Sequence, residues 1–207
     1  MPKGSKELTA ARKDEIITAC AELYKTMSFK EITIKDIGTV TSFTRTSIYN
    51  YFQTKEEIFL ALLQREYELW IGKLEQIQAR YENMTRMEFA SALAHSLEER
   101  PDLLKLLSMN LYDMEENSRM ERLIEFKVVY GRSLDQVDGC LIRFFPEMTK
   151  QERRDFIYLF FPFMFGIYPY TVVTEKQRRA MAQAGVDYAD ISIYEMLYAQ
   201  VKKLLGI

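Results

Sequence analysis

Apolar residues recur at helical spacing along nearly the whole chain. Ile16, Ile17, Cys20, Leu23, Tyr24 and Met27 form one stripe of a first helix. Ile34, Ile37 and Val40 fall at i, i+3 and i+6 and predict a second, short helix. Thr33 stands at its N-cap and Asp36 three residues later, near the positive helix end. The turn is Thr41-Ser42-Phe43, with Phe43 filling the angle between two helices. Thr44 caps a third helix, Thr44 to Asn50, which Ile48 and Tyr51-Phe52 anchor. Thr54 and Glu57 make a further Thr-x-x-Glu box, opening a long helix that runs to about Arg80. Helix starts at both ends of the middle segment leave it room for about two turns.

Beyond residue 80 the same periodicity predicts helices over 86–99, 101–110 (started by Pro101), 118–144, 175–184 and 190–205. Thr149 with Glu152 opens one more, which runs into residues 156–174. That stretch has no charge over 19 positions, the length of a membrane-spanning helix. Pro162, Gly166 and Pro169 interrupt it, and Pro162 predicts a kink. A helix buried on all sides carries the same pattern, so a core or subunit-interface helix is expected, with no membrane. No stretch alternates with period two. The fold class is all-α, with an N-terminal helix-turn-helix domain over 1–55 and a helical regulatory and dimerisation domain over 56–207.

Helix, turn and short second helix are the layout that places a recognition helix in the DNA major groove. Thr44, Arg45, Thr46 and Ser47 lie at the start of the middle helix, where such motifs meet base edges. Arg can bond two guanine acceptors at once, and Ser or Thr can bond several bases. Tyr49, Asn50 and Lys55 suit phosphate oxygens. Singly, each residue also reads as a helix cap or core residue; together they read as a DNA-binding face.

Thr33 to Ile58 resembles the DNA-binding signature of tetracycline-repressor-type (TetR-type) transcriptional regulators. Ile-Tyr-Asn-Tyr-Phe at 48–52, followed by Thr-Lys-Glu-Glu-Ile, is its most specific part. The resemblance implies a three-helix DNA-binding head, a helical ligand-binding body and a homodimer. It also implies a double-stranded operator and a small-molecule effector as partners. Carried over residue by residue, Tyr49, Lys55 and Thr33 match positions that touch phosphate, while Arg45 and Ser47 match positions that face bases. The chain departs from the pattern at Ser42, where Gly is usual, at Phe43, where a small apolar residue is usual, and at Gly38, where Ala is common. In the family, two late helices from each subunit form the dimer interface. Phe156, Phe160, Phe163, Tyr194, Leu197 and Tyr198 are the candidates here. Tyr112, Phe126, Tyr130, Met164 and Tyr168 are candidates for lining a pocket for an apolar or aromatic ligand.

The net charge of −2 at first opposes nucleic-acid binding, but its distribution reverses the inference. Residues 1–55 carry nine Lys/Arg against six Asp/Glu, and residues 56–207 carry 19 against 24. A basic head on an acidic body binds phosphate locally. Cys20 and Cys140 sit on apolar faces and read as reduced core thiols. No zinc spacing, metal cluster, nucleophile elbow or phosphate-cradling Gly loop occurs, so no metal, cofactor or catalytic residue is expected. His95, the only histidine, has no Asp or Cys partner in sequence. The N-terminal residues lack an apolar signal region, which points away from secretion and to the cytoplasm, and the missing catalytic motifs point to a regulator rather than an enzyme. The alternatives are a helical protein-interaction module without operator binding and, behind it, an unrecognised enzyme.

Overall fold

The computed structural model describes residues 3–207. Its ten helices are α1 (Lys3–Tyr24), α2 (Ile34–Val40), α3 (Arg45–Ile48), α4 (Lys55–Arg80), α5 (Arg86–Glu98), α6 (Pro101–Glu116), α7 (Met120–Phe144), α8 (Lys150–Thr171), α9 (Glu175–Gln183) and α10 (Ile193–Leu204). Among the described residues there is no strand. Five helix starts carry reciprocal capping boxes: Thr33/Asp36, Thr85/Glu88, Thr149/Glu152, Thr174/Gln177 and Ser192/Glu195. Ser192 thereby starts α10 at residue 193 rather than 190. α6 continues past residue 110 because its apolar face does: Met114, two turns after Leu107, is fully buried. Asn117 Nδ2 and Ser118 Oγ then donate to the Asp113 and Met114 carbonyls and end the helix.

Packing divides the chain into two compact units. The first runs through Arg65 and takes in Asn110–Val129; the second holds Glu66–Met109 and Tyr130–Ile207. The sequence division at residue 55 coincides with the start of α4, whereas the packing boundary lies farther along that helix. Its first turns are anchored in the first unit: Ile58, Phe59, Leu62 and Leu63 are buried, and Arg65 Nη1 donates to Thr18 Oγ1 at 2.8 Å.

The first unit's core joins Ile16, Cys20 and Tyr24 of α1 to Ile37, Ile48, Phe52 and Phe59. Phe59 meets Tyr24 and Phe29 edge-on, at 5.2 and 4.7 Å between ring centroids. Of the α2 stripe, Ile34 and Ile37 are buried, but Val40 at the helix end is 50% exposed. The second unit is built around Trp70, which packs against Phe160 and Phe161 and donates its Nε1–H to Ser96 Oγ at 2.9 Å. α8 continues through Pro162 and Pro169. Both prolines lie on its exposed side. Among the described residues no single helix is long and apolar enough to cross a membrane. α8 meets that test only jointly with α9, across an 80° bend.

Candidate nucleic-acid interface

The helix-turn-helix is fixed by its caps. Thr33 Oγ1 accepts the Asp36 N–H at 3.3 Å, and the Asp36 carboxylate accepts both the Thr33 N–H (2.9 Å) and the Thr33 hydroxyl (2.6 Å). These bonds hold the Asp36 carboxyl below its ordinary range, the hydroxyl contributing most. At the other end of α2, Thr41 takes an extended backbone (φ −86°, ψ 159°) and its hydroxyl donates to the Phe43 carbonyl at 3.0 Å. The Ser42 N–H donates to the Glu15 carboxylate of α1, a contact no local pattern foretells. No non-glycine residue among those described has positive φ, so Ser42 makes the turn without the left-handed backbone that glycine usually supplies. Phe43 is half-buried, under the Arg12 guanidinium (5.1 Å) and tilted against Tyr51 (6.5 Å). Gly38 faces α3 closely enough that a Cβ there would stand 3.4 Å from the Arg45 backbone.

α3 is shorter than expected. Only Arg45–Ile48 is α-helical, and the chain then tightens into turns: Asn50 N bonds Ser47 O at 3.2 Å, and Tyr51 N bonds Ile48 O at 2.9 Å. Thr44 occupies the N-cap position, yet its hydroxyl meets Ser47 Oγ at 3.2 Å and caps no backbone N–H. Thr44, Arg45, Thr46, Tyr49 and Asn50 are exposed, Ser47 is half-buried, and Ile48 is fully buried beneath them. Arg45 reaches forward to the C-terminal end of the helix. Its Nη2 donates to the Tyr49 hydroxyl at 3.1 Å, and its guanidinium carbon lies 5.7 Å from the Tyr49 ring centroid.

Arg45 and Tyr49 line one surface cleft of about 420 Å³ with Thr33, Lys35 and Lys55. Four of the eight residues proposed from sequence for DNA contact thus converge on one place. Lys35, at the second position of α2, joins them and is not among the residues proposed from sequence. Lys55 is tied inward: its ammonium donates to the Phe29 carbonyl at 2.7 Å and the Ile32 carbonyl at 3.2 Å, over the Phe29 ring at 4.5 Å. It caps the α1–α2 loop from the side of α4.

The α3–α4 junction is locked from another direction. Thr54 Oγ1 accepts the Glu57 N–H (3.2 Å), as expected for a cap, and donates to the Asn117 carbonyl (3.1 Å). The buried Glu57 carboxylate does not return to the N-cap backbone. It accepts the Gln53 N–H (2.8 Å), the Arg119 N–H (3.2 Å) and two guanidinium bonds from Arg119 (2.5 and 2.9 Å). Burial pushes its carboxyl up, but the Arg119 and Gln53 bonds outweigh that and leave it below the ordinary range. Arg122 adds a bond to the Tyr51 carbonyl (3.2 Å) and lies over Phe52 at 5.7 Å.

The pocket and interface candidates fare differently. Tyr112 is 80% exposed on the outer side of α6, so it lines no enclosed pocket, and Phe126 is buried in the first unit's own core. Tyr130 meets Tyr67 and Phe161 edge-on, both at 5.8 Å, and Met164 is fully buried. Tyr168 is half-buried, its hydroxyl pushed up by burial and then by Asp102. Phe156, Phe160 and Leu197 are buried within this chain and offer no surface to a second copy. Phe163, Tyr194 and Tyr198 are half-buried, Tyr194 stacking between His95 (4.1 Å) and Tyr198 (5.6 Å). From residue 156 on, α8 carries large apolar residues on every side, so the sequence did not separate its inward from its outward face. Its outward stripe is Tyr158 (66% exposed), Leu159 (57%), Pro162, Gly166, Pro169 and Tyr170 (65%). α9 has no buried residue.

Residues 16–62 match the family described as bacterial regulatory proteins, tetR family, and residues 64–202 match the tetracyclin repressor-like C-terminal domain. The helix-turn-helix-type transcriptional regulator YfiR of Bacillus subtilis (strain 168) is 31% identical over 75 residues, which span 36% of this chain and 37% of YfiR. Three solved structures share the fold at low identity. A TetR-family transcriptional regulator from Mesorhizobium loti MAFF303099 superposes with a TM-score of 0.64 at 14% identity over 96% of each chain. The fatty acid degradation regulator FadR from Bacillus halodurans gives 0.60 at 16% over 94% of each. Thermus thermophilus FadR, a TetR-family repressor in complex with lauroyl-CoA, gives 0.55 at 17% over 93% of each.

Proposed function

The chain belongs to the tetR family of bacterial regulatory proteins, and on that premise we propose that it is a dimeric, sequence-specific repressor released from a near-palindromic operator by a small apolar or aromatic ligand. The observation that carries the reading is the α2–α3 surface. Exposed Thr44, Arg45, Thr46 and Asn50 stand beside a cleft in which Thr33, Lys35, Arg45, Tyr49 and Lys55 meet. The division of labour is phosphate contact by Lys35, Tyr49 and Lys55, and base reading from the first turn of α3 by Arg45 with Thr46 and Ser47. Thr33 sets the start of α2, its hydroxyl being committed to Asp36.

Two recognition helices are needed to read two half-sites, so the reading requires a dimer. The outward stripe of α8, uncharged from Tyr158 to Tyr170, is the surface we assign to it. Ligand binding among the body helices shifts α4, whose first residue is Lys55, and moves the heads to a spacing that fits the operator poorly. The lauroyl-CoA of the Thermus thermophilus relative has an apolar chain, which is consistent with an apolar effector here.

Selection of binding sites from a random duplex library, with Tyr49→Ala run in parallel, tests this. An enriched near-palindrome, weakened in the mutant, is expected. Enrichment of a single half-site would overturn the dimer, and no enrichment by the ligand-free protein would overturn operator binding.

A further inference from the structure

Arg45 opens α3 and Tyr49, one turn later, is its C-cap, and both side chains are exposed. An exposed arginine is free to sample many rotamers, yet this one is drawn along the helix toward its C-terminal end by two contacts to a single neighbour. Its Nη2–H donates to the Tyr49 hydroxyl oxygen at 3.1 Å, and its guanidinium lies over the Tyr49 ring at 5.7 Å. The tyrosine hydroxyl has one proton of its own to give. While its oxygen accepts from Arg45, its O–H remains free to donate to a phosphate oxygen at the edge of the cleft that also holds Thr33, Lys35 and Lys55.

We propose that Tyr49 is a positioning residue that couples phosphate contact to base reading: one hydroxyl holds the backbone and the Arg45 guanidinium together. This rests on the operator-binding reading above. A phosphate bond orders the Tyr49 ring, and the ordered ring and hydroxyl present Arg45 to a base edge with its rotamer already restricted. The immobilisation cost of a long side chain then falls before the base is met. The hydroxyl is neutral, so it releases no counterion, and its loss leaves the salt dependence of binding unchanged.

Tyr49→Phe removes the hydroxyl and keeps the ring. The test measures the full-length protein's affinity for its best selected duplex, and for duplexes altered at the base pair that Arg45→Ala relaxes. Tyr49→Phe is expected to weaken the best site by roughly 3- to 10-fold, the effect of freeing one rotamer-rich side chain. It should weaken the altered duplexes less and leave the salt slope within error of the parent. In the Arg45→Ala background the same change should cost distinctly less than it does in the parent. Equal weakening of all duplexes, or full additivity with Arg45→Ala, would overturn the coupling and leave Tyr49 a simple phosphate contact. Absence of any enriched duplex for the parent protein would overturn the operator reading and this inference together.

Discussion

Removing the Arg119 side chain should unfold the first unit's junction more than its partial exposure suggests. The Glu57 carboxylate is buried at the start of α4, and the Arg119 side chain supplies two of the four N–H groups aimed at it, the other two being the Gln53 and Arg119 backbone N–H groups. Taking one partner from a fully buried ion pair costs about 3–5 kcal/mol. Here Glu57 keeps the Gln53 and Arg119 backbone N–H groups, and Arg119 is itself 39% exposed, so water reaches one side. The expected loss for Arg119→Ala at neutral pH is therefore about 2–3 kcal/mol, or roughly 5–10 °C in Tm for a chain of this size.

The pH dependence follows from the direction of the Glu57 shift. In the parent the folded carboxyl lies below its ordinary value, so its stabilisation is complete above the unfolded pKa of about 4.3 and is lost as pH falls through the folded value. In Arg119→Ala, burial is opposed only by two backbone N–H groups, and the carboxyl moves up. The difference between parent and variant should then be largest at pH 7 and narrow towards pH 4, as Glu57 takes a proton in the variant. Urea unfolding at several pH values and one protein concentration reads this, with Lys203→Ala on the exposed face of α10 as a surface control. A gap below about 0.5 kcal/mol at pH 7, the size of an ordinary surface effect, would refute the reasoning. A gap that does not change with pH would do so as well.

Four further perturbations have expected outcomes. Arg45→Ala should cost roughly 1–3 kcal/mol of operator binding and relax one base position. Lys55→Ala should weaken all duplexes alike and lower the salt slope by about one. Because the Phe29 and Ile32 carbonyls lose their donor, Lys55→Ala should also cost about 1–2 kcal/mol of stability, and an unchanged urea midpoint would deny the capping role. Cys20 and Cys140, both buried and with thiols pushed up to about 12, should ignore an aromatic disulfide reagent at pH 8 until the protein is unfolded; rapid reaction of either in the native state would contradict their placement. Tyr112→Ala should change stability by less than about 0.5 kcal/mol and leave any ligand response intact, since the ring stands in solvent.

Local chemistry made most of the helices legible. Thr33/Asp36 and Thr149/Glu152 announced helix starts where the structure has them, and Thr85/Glu88, Thr174/Gln177 and Ser192/Glu195 carried the same signal unread. Four cleft residues were found because helix-turn-helix chemistry puts them within a short span of sequence. What stayed hidden depends on contacts distant in sequence. Glu15 holding the Ser42 N–H and Arg119 claiming the Glu57 carboxylate leave no periodic trace. The start of α3 was legible, with Thr44 at the N-cap position, but its end was not: the Thr44 hydroxyl meets Ser47 instead of capping, and the helix gives way to turns after Ile48. On α8, aromatic residues on every side carry no information about which face turns inward, and Phe156 and Phe160 proved internal.

The ties at the α3–α4 junction bear on how such heads can be exchanged between relatives. The residues that complete it, Asn117, Arg119 and Arg122, come from the α6–α7 corner, far along the chain from the helix-turn-helix they support. A head transplanted as one continuous stretch ending at Arg65 would leave behind the cation that neutralises its buried Glu57. Inheritance of DNA specificity in this chain is therefore a two-segment affair: a graft must carry the corner with the head, or meet a host whose own corner offers an arginine in the same place.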